Sequence, residues 1–169
     1  MLTLNHTSKE DIFKEIQTYL DSLNLTAVSK DFTRPWGGFF VIDEQQAKAF
    51  AAKFFPTMDF STIQANRKLS PKILVVQPDM RLSWQYHHRR AEIWKVIGGE
   101  VGVVTSDTDA EGIVQRLKVD DVVELRQGQR HRLVGLEGWG VLAEIWQHTD
   151  ADHPSDENDI VRVQDDFGR

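Results

Sequence analysis

Arg81-Leu82-Ser83-Trp84-Gln85-Tyr86-His87-His88-Arg89-Arg90-Ala91-Glu92-Ile93-Trp94 is the stretch on which the reading of the whole chain turns. Successive side chains of a strand point to opposite faces, so Arg81, Ser83, Gln85 and His87 share one face and Leu82, Trp84 and Tyr86 the other. One face is wholly polar and the other largely apolar. Two readings stand: the polar face meets solvent, or it lines a barrel mouth while the apolar face packs against a second sheet. The chemistry of the polar residues and of their neighbours favours the second. Gln85 and His87 offer an amide oxygen and an imidazole side by side, Glu92 comes five residues later after a turn, and His131 enters from a distant strand. Two imidazoles, one carboxylate and one amide oxygen make a mixed site for a divalent metal ion, zinc first, then manganese, iron, cobalt or nickel. One or two positions would remain for water or substrate.

Working outward, from about Ile63 the chain reads as short β-rich runs separated by Gly, Asp, Asn and Pro. Strands are expected near 72–77, 80–88, 91–97, 100–105, 113–117, 121–126, 131–135, 139–147 and 159–164. The connections are too short for crossover helices, so the sheets should be antiparallel and the fold class all-β, a sandwich or barrel. Before this region, Ile12, Phe13, Ile16, Tyr19, Leu20 and Leu23 fall on one face of a 3.6-residue period, which predicts a helix over 7–23. Thr7 and Glu10 have the spacing of a capping box. A second helical pattern, Glu44 to Phe55, places Ala47, Phe50, Ala51 and Phe54 on one side and stops at Pro56. Arg34-Pro35-Trp36-Gly37-Gly38 reads as a turn or strand entry. The expected organisation is an N-terminal helical extension, 1–30, and a barrel, 31–169, in one structural domain. The helix's apolar stripe should pack on the barrel's outer sheet.

Composition sets the outer limits. With 169 residues, 20 basic and 26 acidic side chains and a formal charge of −6, the chain has the length of one domain and too little positive charge for sequence-independent binding to nucleic acid or anionic lipid. A local basic cluster, Arg126 to Arg132, could still receive an anion. The absence of cysteine excludes thiol chemistry, zinc fingers and disulfides. Apolar runs such as Phe39–Ile42 and Ile73–Val76 are only four residues long, so neither a bilayer span nor a signal segment is expected. A cytoplasmic location and a homodimer paired through sheet edges are the corresponding expectations. The acidic stretch Asp150 to Asp159 reads as a solvated loop.

Gln85-Tyr86-His87-His88-Arg89-Arg90-Ala91-Glu92-Ile93-Trp94, with Gly98 beyond it, resembles the first cupin metal motif in the form used by type II mannose-6-phosphate isomerases, whose run is Q-M-H-H-H-R-A-E-H-W. Arg126-Gln127-Gly128-Gln129-Arg130-His131 is similar to the second motif, P-x-G-x-x-H. Arg34-Pro35-Trp36-Gly37 resembles the family's R-P-W-G, and Asp159-Ile160-Val161-Arg162 with Asp165-Asp166-Phe167-Gly168-Arg169 resembles its ending. The resemblance implies a cupin double-stranded β-helix, or jelly-roll barrel, with Gln85, His87, Glu92 and His131 as metal ligands. The chain departs from the pattern at Arg89, Ile93, Asp79 and Arg126. Ile93 should point away from the pocket if Glu92 points in, whereas Arg89 should sit near the mouth.

The implied reaction is aldose–ketose isomerisation, with mannose 6-phosphate and fructose 6-phosphate as substrates. Such an enzyme moves a proton between neighbouring carbons through an enediolate, and a divalent ion stabilises the developing charge. Arg90 and Glu144 are the expected catalytic groups, Glu144 because a carboxylate in an otherwise apolar strand has a raised pKa or else partners an arginine. Lys95 and His88 are weaker candidates for the base. Arg34, Arg81, Lys95 and Arg132 are the expected substrate contacts, with Arg130 and Arg169 as further candidates for a phosphate clamp. The alternatives are isomerisation of an unphosphorylated, lyxose-type sugar, a non-catalytic sugar-binding cupin, and iron-dependent oxygenation.

Overall fold

A computed structural model describes residues 1–59, 61 and 68–169. Helix α1 (Lys9–Ser22) leads into β1 (Ala27–Asp31) and β2 (Gly37–Ile42), and a single 3-10 turn (Glu44–Gln46) opens α2 (Ala47–Phe54). Nine strands follow: β3 (Lys72–Val76), β4 (Trp84–Tyr86), β5 (Arg90–Gly98), β6 (Glu100–Ser106), β7 (Gln115–Lys118), β8 (Val122–Leu125), β9 (Arg130–Gly135), β10 (Gly140–His148) and β11 (Val161–Gln164). With β1 and β2 they form a six-stranded sheet, β1-β2-β3-β10-β5-β8, and a five-stranded sheet, β11-β4-β9-β6-β7, with every pairing antiparallel. This is the jelly-roll architecture that the strand pattern and the resemblance led us to expect. Ile63, where the helical period gives way, lies outside the described residues.

The six-stranded sheet is apolar on both faces because it separates two cores. Ile73 and Val75 of β3, Ile93 and Ile97 of β5, and Val141, Ala143 and Ile145 of β10 pack with Ile12, Phe13, Ile16, Leu20, Phe50 and Phe54 of the two helices. Their alternate neighbours Leu74, Val76, Trp94, Val96 and Leu142 pack with Val101, Val103 and Leu133 of the opposite sheet. Continuous apolar runs such as Ile73–Val76 are therefore the mark of a strand covered twice. Ile93 lies in the helix-side core, opposite Glu92, as the alternation requires.

Helix α1 begins one residue later than the spacing predicts. Ser8, not Thr7, is the cap: its Oγ accepts from the Asp11 backbone N–H at 3.2 Å and donates to Asp11 Oδ2 at 2.7 Å. The Thr7 carbonyl instead accepts from Trp139 Nε1 at 2.8 Å. Packing decides the placement, since fully burying each of Ile12, Phe13, Ile16 and Leu20 is worth roughly 1.5–3 kcal/mol against ~1 kcal/mol for a cap. The expected strand 80–88 is cut to Trp84–Tyr86, with an isolated bridge at Arg81, and β1, polar in sequence, was not expected as a strand.

The two departures in the turn motifs have local reasons. Asp79 sits at φ +59°, a left-handed conformation that glycine adopts freely and that Asp tolerates better than most residues. Arg126, where the family has proline, uses the N–H that proline lacks: it donates to Gln129 Oε1 at 3.0 Å. Gly128, at φ +76°, completes that turn and donates to the His87 carbonyl at 3.0 Å, tying the turn before β9 to the turn after β4.

Candidate metal centre

Three strands converge between the sheets. Gln85 on β4 is the direct cross-strand partner of His131 on β9, so both side chains leave the five-stranded sheet on one face. Glu92 on β5 pairs with Trp146 on β10, and Trp94 with Glu144, so these four share the inner face of the other sheet. His87 lies in the turn just beyond β4. From Ser83 onward the polar face of the 81–87 run thus turns into the barrel, where Ser83, Gln85 and His87 are all buried, whereas Arg81 at its start is partly exposed and pairs with Asp166.

His87, Glu92 and His131 form a buried cluster whose ligand atoms lie within 4.8 Å of one another. His87 Nδ1 is 2.6 Å from the Asp159 carbonyl oxygen and His131 Nδ1 is 2.9 Å from that of Gln129. A carbonyl only accepts, so each ring carries its proton on Nδ1 and directs an Nε2 lone pair at Glu92. The Nε2 atoms of His87 and His131 stand 3.1 and 3.4 Å from Glu92 Oε1 and Oε2. His131 Nε2 is buried without a hydrogen-bond partner among the described residues. Acceptors converging in this way could hold a metal ion, and the donor set of two imidazoles and a carboxylate fits a divalent transition metal. Gln85 lines a cavity together with Glu92, and its Oε1 accepts from Ser83 Oγ at 2.6 Å, which uses one of its two lone pairs.

Arg90 sets the charge of this cluster. Its guanidinium donates from Nε to Glu92 Oε1 at 2.7 Å, reaches His87 Nε2 at 3.2 Å and meets Ser155 Oγ and the Asp156 carbonyl at 2.9 and 3.0 Å, with the Trp146 ring 3.7 Å away. Burial alone would raise the Glu92 carboxyl, but the Arg90 guanidinium beside it holds it well below the usual carboxylate range. Glu144 behaves oppositely. Burial, reinforced by the Glu92 charge, pushes it up to about 7 against the pull of Lys72 and Arg90.

A cavity of ≈ 340 Å³ opens beside Glu92 and Gln85. Arg34, Lys72, Arg90, Arg162 and Arg169 line it, against the carboxylates of Glu92, Glu144 and Glu157. Trp36 Nε1, in the same wall, is buried without a hydrogen-bond acceptor among the described residues. Of the expected substrate contacts, Arg34 lines this cavity and three others do not. Arg81 is held by Asp166 at 2.6 and 3.0 Å, and Lys95 faces Asp120 at 3.0 Å on another surface. Arg132 is buried with its donors on the Leu82 carbonyl, Glu111 and Gln164. Arg169 lines the cavity; Arg130 is paired with Asp109, and His88 is exposed. Arg89, expected near the mouth, lies 3.8 Å from Asp156 and is not in the cavity wall.

Two sequence readings are corrected here. The basic cluster Arg126–Arg132 is neutralised, because Asp107, Asp109 and Glu111 of the preceding loop pair in order with Arg126, Arg130 and Arg132. The acidic stretch is not a solvated loop throughout: Ser155 and Asp159 are buried, and Glu157 and Asn158 line the cavity. Lys72, Arg162 and Trp146 were missed as site residues. The only available signal for Arg162 was its place in the Asp159–Arg162 motif.

With this geometry in view, residues 43–165 match the family described as Mannose-6-phosphate isomerase C-terminal. The chain belongs to that family. Members of the wider cupin fold are its structural neighbours: a Lactobacillus farciminis oxalate decarboxylase superposes with a TM-score of 0.55 and 13% identity over 82% of this chain and 35% of that one, a likeness of fold alone. Among curated relatives, the mannose-1-phosphate guanylyltransferase of Escherichia coli K12 is 24% identical over 170 residues, covering all of this chain and 30% of that protein. ManC of Salmonella typhimurium LT2, also a mannose-1-phosphate guanylyltransferase, is 29% identical over 68% of this chain and 22% of its own length. The mannose-6-phosphate isomerase C-terminal domain seen here therefore spans less than a third of these relatives. Among the described residues no helix is long and apolar enough to cross a membrane.

Proposed function

We propose that the protein is a metal-dependent aldose–ketose isomerase that interconverts mannose 6-phosphate and fructose 6-phosphate. The observation that carries this reading is the coexistence, in one cavity, of a carboxylate belonging to a His-Glu-His cluster and five cationic side chains, in a chain whose net charge is −6. A bound divalent ion would be held by His87, Glu92 and His131, with Gln85 beside them, and would polarise the sugar's carbonyl and hydroxyl oxygens.

The chain's own groups supply the rest. Glu144, whose carboxyl is raised by burial, would take a proton from the carbon beside the carbonyl and return it to the neighbouring carbon. Arg34, Lys72, Arg162 and Arg169 line the wall where a phosphate dianion would be neutralised. Trp36 Nε1, without an acceptor among the described residues, would donate to a sugar oxygen. Arg90 spends its donors on protein acceptors, so its role is to fix Glu92 and add positive potential.

The test is isomerisation by metal-stripped protein resupplied with single divalent ions, read as interconversion of the two hexose phosphates and as solvent deuterium entering the product. Metal-dependent turnover supports the reading. Binding without turnover would leave a sugar-binding cupin, activity on free sugars alone would leave the lyxose-type alternative, and oxygen-dependent turnover with iron would replace isomerisation altogether.

A further inference from the structure

We infer that Asp159 is the positioning residue of the metal centre: one buried aspartate fixes both the tautomer of His87 and the turn that carries it. This rests on the metal reading above. The Asp159 carbonyl oxygen accepts from His87 Nδ1 at 2.6 Å and from Arg90 Nη1 at 3.4 Å. Its carboxylate accepts the backbone N–H of His88 at 3.0 Å and of Arg89 at 2.9 Å, and the Ser155 hydroxyl at 2.6 Å. A single residue thereby holds four consecutive positions, 87 to 90, that lead from β4 into the strand bearing Glu92. The carbonyl sets which ring nitrogen carries the proton, and the carboxylate sets where the ring sits.

Aspartate suits this place because an ionised carboxylate offers only acceptors. Asparagine is nearly isosteric but turns one oxygen into a donor that faces an N–H. The segment around Asp159 also reaches the ligand space, since Glu157, Asn158 and Ile160 line the cavity. Contact with a ligand at those three residues is thus one bond network away from His87.

The experiment compares wild type, Asp159→Asn, His87→Ala and Asp166→Asn as metal-stripped full chains, titrated with Co²⁺ by absorbance and with Zn²⁺ against a chelator. Asp166 bonds Arg81 and Gln164, away from the cavity, and serves as the stability control. Partners that orient metal-bound histidines are typically worth 10- to 100-fold, so Asp159→Asn is expected to weaken both ions by roughly that factor. Asp166→Asn should leave affinity unchanged even where it lowers Tm. In wild type without metal, ¹⁵N imidazole spectra should show His87 protonated on Nδ1. His87 protonated on Nε2 overturns the inference whether or not the variant folds, and so does Asp159→Asn binding like wild type while His87→Ala does not. Failure of wild type to bind either ion, or full binding by His87→Ala, removes the metal reading itself.

Discussion

Glu92 and Glu144 share one donor: Trp94 Nε1 stands 3.1 Å from Glu92 Oε2 and 2.9 Å from Glu144 Oε2. Two buried carboxyls this close do not ionise independently. Arg90 resolves the conflict by holding Glu92 ionised, which leaves Glu144 to carry the raised pKa. The two groups therefore make opposite contributions to stability as pH changes.

For Glu144 the folded state keeps its proton up to about 7, whereas the unfolded chain releases it near 4.5. The stability contributed is complete below the lower value and is lost as pH rises through the upper one, a loss on the order of 3 kcal/mol. Glu92 has the reverse sign: its contribution is present above the ordinary carboxylate range and is lost on acidification. Denaturation of metal-free protein between pH 5 and 8 should show wild-type stability falling along this window and Glu144→Gln nearly flat. Equal slopes for the two proteins would refute the assignment, whatever their absolute stabilities.

Glu92→Gln should be severely destabilising without any metal. Arg90 is buried and Glu92 is its charge partner at 2.7 Å, so the variant leaves a guanidinium in the barrel with only neutral acceptors. Breaking a buried pair from one side costs about 3–5 kcal/mol. The double variant Glu92→Gln with Arg90→Met should recover part of that loss, measured by urea denaturation of stripped protein. A double variant weaker than the single one by the full value of a second deletion would argue against the pair.

How much of this was legible in the sequence depends on distance along the chain. Alternation places Gln85 on the inner face of β4 and Glu92 on that of β5, because period-2 geometry is local and both sheets keep it, whereas His87 lies in the turn beyond β4, where alternation no longer applies. Lys72 was invisible for the opposite reason: it precedes the apolar run Ile73–Val76, and only the pairing of β3 with β10 puts it over the Trp146 ring at 4.2 Å. Asp159 reads as solvated because its composition is that of a solvated loop. Its partners are the N–H groups of residues some seventy positions earlier, and no local pattern announces them. Arg132 failed similarly, since its neighbour His131 faces the site and the alternation sends Arg132 to Glu111 and Gln164.

The cationic wall gives a kinetic prediction under the proposed function. Arg162 and Arg34 line the cavity, and Arg162 is exposed. Arg162→Ala should raise KM for the hexose phosphate by roughly tenfold, about the worth of one charge-assisted contact, with little change in kcat. Any activity on the unphosphorylated sugar should be untouched. Lost kcat with unchanged KM would move Arg162 from the phosphate to the reacting atoms.

The loop that pairs acidic with basic residues in order offers a test of burial against charge. Asp107 with Arg126, Asp109 with Arg130 and Glu111 with Arg132 are three ion pairs of similar chemistry, at 2.6, 2.8 and 2.5 Å. Their settings differ. The Asp107 and Arg126 side chains are 73% and 69% exposed, whereas that of Arg132 is fully buried and that of Glu111 only 35% exposed. Water and salt screen the first pair, so Asp107→Asn should produce no measurable loss. Glu111→Gln removes the charge partner of a guanidinium that has no access to solvent, and it should lower stability by about 3 kcal/mol, with little dependence on ionic strength. Asp109→Asn should fall between them, because Arg130 is only partly covered and also rests on the Tyr86 ring at 3.9 Å. Denaturation of the three variants at low and high salt gives the ranking directly, and equal losses would mean that the ion pairs, rather than their burial, set the stability of this end of the barrel.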